Sequence, residues 1–163
     1  MTVIDHLTLT VRDLERSKAF YRAALAPLGC DVRVELEQSC GIGPPGNPAF
    51  WLRQGEPPTQ PMHIAFRSAD RQGVDSFHAA ALAAGASDNG APGLRAQYHP
   101  TYYGAFVIDP DGHPIEAVCH ADPNAPRRQR TAPRAPRRKA RPAARKRRAA
   151  PRRGAAARRR KRR

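Results

Sequence analysis

His6-Leu7-Thr8-Leu9-Thr10-Val11-Arg12-Asp13 is answered 57 residues later by His63-Ile64-Ala65-Phe66-Arg67-Ser68-Ala69-Asp70. Carried forward without a gap, the same offset lays Phe20 on Phe77 and Ala23-Ala24-Leu25-Ala26 on Ala80-Ala81-Leu82-Ala83. Six identities after the histidine pair mark one structural unit used twice, and such a repeat constrains the architecture before any single element is assigned.

Each copy changes its hydrophobic period once. From Val3 to Val11 the residues alternate, with Leu7, Leu9 and Val11 on one face and His6, Thr8 and Thr10 on the other, as in a half-buried strand. Asp13 has the chemistry of a helix N-cap. Leu14, Ser17, Tyr21, Ala24, Leu25 and Leu28 then recur on one helical face before Gly29 stops the helix. Residues 31–36, 40–43 and 49–53 predict three further strands, and Pro57, Pro58 and Pro61 a linker. The second copy repeats the order. It has a strand over 62–68 and a helix capped by Asp70, with Val74, Phe77, Ala81 and Ala84 on one face and Gly85 at its end. Strands over 94–99, 103–108 and 114–119 follow, the last two joined by the turn Asp109-Pro110-Asp111-Gly112-His113. The expectation is an α+β domain over residues 1–120, built from two βαβββ modules at about 1–56 and 61–120. Its helices cover one side of a curved mixed sheet that wraps a metal or ligand cavity on the other.

Charge divides the chain. Residues 1–120 hold 9 Lys+Arg against 13 Asp+Glu, whereas residues 127–163 hold 20 Lys+Arg and no acid, so the net +15 belongs to the tail. Without aromatic side chains or Leu, Met or Phe, the tail cannot offset ordering entropy, and residues 121–163 are expected to be disordered. The clusters Arg137-Arg138-Lys139 and Arg145-Lys146-Arg147-Arg148 suit non-specific nucleic acid or another polyanion, bound by counterion release. The lack of aromatics argues against base stacking. An Arg-, Ala- and Pro-rich reading frame running past the domain's end would have the same composition. Cys30, Cys40 and Cys119 form an odd set without a CxxC spacing and read as free thiols in a reducing compartment. No signal-peptide pattern or membrane-length apolar run is present, so a cytoplasmic location is expected.

The chemistry concentrates on His6, His63 and Glu116. The histidines share one repeat position. Glu116 has the opposite parity to Ile115 and Ala117, so it can face the same cavity. Two imidazoles and a carboxylate suit a divalent ion, Fe, Mn, Ni, Co or Zn, with coordination positions left open to a substrate. His99, Tyr102 and Tyr103 crowd the run 98–103 and are candidate acid/base or substrate contacts at a pocket mouth, or simply a loop packed by its own aromatics. His113 in its turn is expected to be exposed, His78 to pack or lie at the surface, and His120 closes the domain.

The segments 4–14, 17–21, 63–66 and 104–116 together resemble the vicinal oxygen chelate superfamily, which groups glyoxalase I, bleomycin-resistance proteins and extradiol dioxygenases. The resemblance covers residues 1–120 and is closest to short bacterial glyoxalase-like proteins. It implies His6, His63 and Glu116 as metal ligands, a small-molecule substrate with vicinal oxygens and a homodimer. The fourth ligand of glyoxalase I, a glutamate, falls here on Trp51, which cannot bind the metal that way. The tyrosine that extradiol dioxygenases place ten residues before the glutamate falls on Phe106. Trp51 and Phe106 are therefore expected to contact substrate, with Trp51 either a flat wall for an aromatic or conjugated ligand or a residue that fills space in the barrel. The expected function is a metal-dependent enzyme, dioxygenase-like or lyase/isomerase-like. The alternative is a small-molecule or drug-binding protein with a metal-free or vestigial site, the tail adding nucleic-acid binding.

Overall fold

The computed structural model describes residues 3–122. The basic clusters at 137–139 and 145–148 lie outside them. The first module runs β1 (Leu7–Val11), α1 (Leu14–Leu25), β2 (Asp31–Leu36), β3 (Ser39–Gly43) and β4 (Phe50–Gln54). The second runs β5 (Ile64–Arg67), α2 (Arg71–Ala83), β6 (Ser87–Leu94), β7 (Tyr103–Ile108) and β8 (Pro114–Cys119). Each module is one four-stranded mixed sheet, ordered β1-β4-β3-β2 and β5-β8-β7-β6. In both, the first strand lies parallel to the last and the other pairs are antiparallel. The two sheets are hydrogen-bonded within themselves and not to each other.

The two caps work alike. Asp13 accepts from Arg16 N at 3.0 Å and Asp70 from Gly73 N at 2.8 Å, each satisfying an otherwise orphan donor of the first turn. After α1, the short 3-10 turn Ala26–Leu28 ends at Gly29, whose φ of 80° suits a residue without a Cβ.

Alternation on the strands sorts the side chains into two layers. Leu9, Val11, Phe50 and Leu52 lie under α1, and Ile64, Ile115 and Ala117 under α2; all are buried in one continuous core. The helices pack on each other, and Phe50 meets Phe66 edge-to-face at 5.2 Å. The modules thus join helix side to helix side. Their opposite faces, which carry Thr8 and Trp51 in one and Ala65 and Glu116 in the other, turn away from that shared core.

A polar clasp adds to the joint. Tyr21 Oη donates to the buried Asp109 at 2.5 Å, while Ser17 Oγ and Arg16 Nη2 donate to Asp111 at 3.0 and 2.8 Å. Asp109 also accepts from the backbone N–H groups of Asp111 and His113. Burial, then the charge of Asp109, holds the Tyr21 phenol well above its ordinary range.

Four expectations are corrected. The first strand begins at Leu7 rather than Val3, leaving Val3 and Ile4 exposed, and the strand expected over 62–68 spans only Ile64–Arg67. Both histidines therefore stand just before their strands. The strand expected over 94–99 is instead β6, Ser87–Leu94, and residues 95–102 form turns. Pro92, Gly90 and Gly93 obscured it. They are tolerated because β6 is an edge strand with register shifts, where the missing proline N–H interrupts no second ladder. His113 is buried, not exposed, because its Nδ1 accepts from Met62 N at 3.1 Å and ties the turn to the linker ahead of β5.

Candidate metal and ligand site

The outward face of the second module brings His63 and Glu116 together. His63 Nε2 lies 3.1 Å from Glu116 Oε2, with the imidazole 56% exposed and the carboxylate only 2%. Glu116 is held from the other side as well, for Tyr102 Oη donates to Oε1 at 2.5 Å. Tyr102 arrives from the turns over 95–102, where Arg95 N donates to its carbonyl and its own N–H donates to His99 O. Gly104 makes this approach possible. A Cβ there would stand 3.0 Å from Glu116 Oε1 and 3.2 Å from Tyr102 Cε1. Burial, followed by the Glu116 hydrogen bond and charge, pushes the Tyr102 phenol up to about 12. Phe106 sits opposite Glu116 in the β7–β8 register, and its ring lies 6.4 Å from that of His63.

The first module presents different chemistry at the same places. Thr8 pairs with Trp51 as Ala65 pairs with Glu116, and Thr8 and Ala65 are partners in the 57-residue repeat. Trp51 and Glu116 are therefore structurally equivalent. Gly41 stands opposite Trp51 where Phe106 stands opposite Glu116. Trp51 lines a recess of about 320 Å³ with Asp5, His6, Thr8, Asn47 and Pro48. His6 is 59% exposed and pairs through Nδ1 with Asp5 at 2.8 Å.

His63 and Glu116 thus meet, whereas His6 lies on the other module's face. Among the described residues no three His, Cys, Asp or Glu side chains converge as a metal-binding group. Of the candidate acid/base residues, Tyr102 reaches Glu116. Tyr103 faces α2 instead, donating to Asp75 at 2.8 Å with Arg71 4.9 Å from its ring. His99 is exposed, hydrogen-bonded to Thr101 and 6.4 Å from the His120 ring. His78 packs against the surface and pairs with Asp88 at 2.9 Å. The Tyr102–Glu116 contact carries no local signal in the sequence, since 14 residues separate the partners and a turn must fold back to join them.

Residues 3–117 match the sequence model of the glyoxalase/bleomycin resistance protein/dioxygenase superfamily. Among solved structures, the chain is similar to a glyoxalase/bleomycin resistance protein from Albidiferax ferrireducens T118. Identity is 31%, over 72% of this chain and 99% of that one, with a TM-score of 0.65. A glyoxalase/bleomycin resistance protein/dioxygenase family enzyme from Burkholderia phytofirmans PsJN shares the fold at 18% identity, covering 74% and 100% of the two chains, TM-score 0.59. So does the fosfomycin resistance protein FosX of Listeria monocytogenes, at 20% identity, 73% and 93% coverage and TM-score 0.56. Comparison with curated proteins finds no match. Among the described residues no helix is long and apolar enough to cross a membrane. Repeat, module topology and sequence match agree: the chain belongs to the glyoxalase/bleomycin resistance protein/dioxygenase superfamily.

Proposed function

We propose that this protein is a metal-dependent enzyme acting on a small molecule with vicinal oxygens, by a dioxygenase-like or lyase/isomerase-like reaction. His6, His63 and Glu116 are its ligands to a divalent ion, Fe, Mn, Ni, Co or Zn. The observation that carries this is the 3.1 Å approach of His63 Nε2 to Glu116 Oε2. Ligand atoms about 2.0–2.2 Å from one ion, at neighbouring positions, stand roughly 3 Å apart, so this pair fits two of them. The third ligand would come from a second copy of the chain. In support, β1 and β5 are both sheet edges, Val3 and Ile4 are exposed beside one of them, and the two site faces turn away from the shared core.

Bound there, the ion would supply Lewis acidity to adjacent substrate oxygens. The chain's own residues do the rest. Tyr102 keeps Glu116 Oε1 occupied and the carboxylate fixed. The half-exposed His63 stands at the solvent side of the pair, where a substrate would approach. Trp51 replaces a ligand by an apolar wall.

Complementation between two variants tests the scheme. Metal content of purified His6→Ala and of Glu116→Ala should fall to background. Mixed dimers of the two contain one site with all three ligands and should recover about half of the wild-type metal content. A mixture that stays empty would exclude shared ligands. Unchanged metal in both single variants would exclude the triad. The absence of a three-ligand cluster among the described residues of one chain favours, as second reading, a metal-free small-molecule binding protein. In that case no variant alters metal content.

A further inference from the structure

We infer that the first-module face is a stacking shelf, and that the ligand it takes is a planar conjugated ring bearing hydrogen-bond donors. The inference rests on the small-molecule part of the proposed function and not on the metal. Equivalent positions of the two modules carry different pairs of side chains. Where the second module sets a buried carboxylate opposite Phe106, the first sets Trp51 opposite Gly41. Gly41 is the complement of the indole. A Cβ at that position would stand 3.0 Å from Trp51 Cζ2, 3.1 Å from Cε2 and 3.0 Å from Pro48 Cβ, so a larger residue would displace the ring. Backbone, glycine and proline thereby seat Trp51 against its own sheet. The indole is only half buried, and it remains a wall of the recess of about 320 Å³.

The rest of the lining gives the ligand its polarity. Asp5 and the Asn47 amide oxygen accept hydrogen bonds, and Thr8 and His6 either accept or donate. Asp5 stands beside the recess and pairs with the exposed His6 at 2.8 Å. Ring hydroxyl or amino groups fit this rim better than a carboxylate or phosphate would. An aromatic face beside a few convergent polar groups is a common arrangement for binding flat molecules, since the stack orients the ring and the polar groups set its rotation. Every lining residue comes from one module, so the shelf needs neither the second copy nor the ion.

Trp51 is the single tryptophan of the chain, so its indole N–H gives one resonance in a ¹⁵N-labelled full-length sample. The protein is freed of metal with a chelator and titrated with 2-naphthol and, separately, with its saturated counterpart decahydro-2-naphthol. The expected result is a saturable shift of the indole resonance with 2-naphthol and none with the saturated alcohol. In Gly41→Val the 2-naphthol affinity should weaken by roughly tenfold, the order of a single aromatic stack. Trp51→Leu, followed through broadening of the 2-naphthol proton signals, should lose binding and covers the case in which Gly41→Val does not fold. Equal shifts with the two alcohols, or undiminished broadening in Trp51→Leu, overturn the shelf even if the protein proves to bind metal. A naphthol-specific shift in a protein that purifies without metal upholds the shelf and overturns the metal reading alone.

Discussion

Glu116 is a carboxylate that the fold has buried almost completely, and its two oxygens are satisfied by side chains from different places, Tyr102 and His63. Removing one donor should be costly. Tyr102→Phe leaves Oε1 unpaired in a desolvated position and is expected to lower stability by about 1–3 kcal/mol in urea unfolding. The same variant should alter the alkaline limb. The folded phenol lies at about 12 against an ordinary 10, so the stability this contact supplies is fully present below pH 10 and is lost as the pH rises through 12. Unfolding midpoints at pH 9 and pH 11.5 should therefore converge in Tyr102→Phe relative to wild type, with a residual slope left by the other groups raised in the fold, Tyr21, Tyr103, Lys18, Cys30 and Cys40. Trp51→Glu places an acid at the position equivalent to Glu116. It should abolish 2-naphthol binding to the first module, as titration calorimetry would register. Sequence parity placed Glu116 on the correct face. It could not identify Tyr102 over Tyr103 or His99 as the residue that reaches the site, because which of several neighbouring side chains turns inward is decided by a loop's path.

At the level of elements, the two helices carry interchangeable signals. Asp13→Ala and Asp70→Ala should each cost about 1 kcal/mol, the ordinary contribution of a capping carboxylate. The turn 109–113 behaves differently. It looks like a simple hairpin connection, yet it clasps α1 of the other module through Asp109 and Asp111. Tyr21→Phe removes a buried donor from Asp109 and should destabilise by roughly 1–3 kcal/mol, more than a cap. Thermal melts of the three variants would rank them, and a Tyr21→Phe loss no greater than the cap variants would mean the clasp contributes little. The strands were legible wherever alternation was clean, as in β1, β7 and β8. β6 was not, because a sequence with Gly90, Pro92 and Gly93 is strand-like only at a sheet edge, and edge status is a property of the whole sheet.

For the whole molecule, charge divides the sequence into a mildly acidic part over 1–120 and a basic part with 20 cations over 127–163. If those cations bind nucleic acid, a 1–122 truncation, which removes all 20 of them, should lose a DNA binding that in the full chain weakens steeply with salt. Its metal content should match that of the full chain, and equal DNA binding by both would dismiss a role for the tail. Sedimentation should show a dimer if His6 and Glu116 belong to one site across two copies. The sequence by itself determined that two equivalent modules exist, where their helices begin and which residues face the core. These are consequences of local periodicity and of a repeat, and both are written along the chain. Only the tertiary structure decided how the modules meet. They pack helix side to helix side, so His6 and His63, equivalent in sequence, lie on separate outward faces and His6 does not reach the His63–Glu116 pair. The reason is physical: the largest apolar surfaces lie under the helices, and burying them against each other in one core outweighs any preference of two exposed imidazoles for meeting.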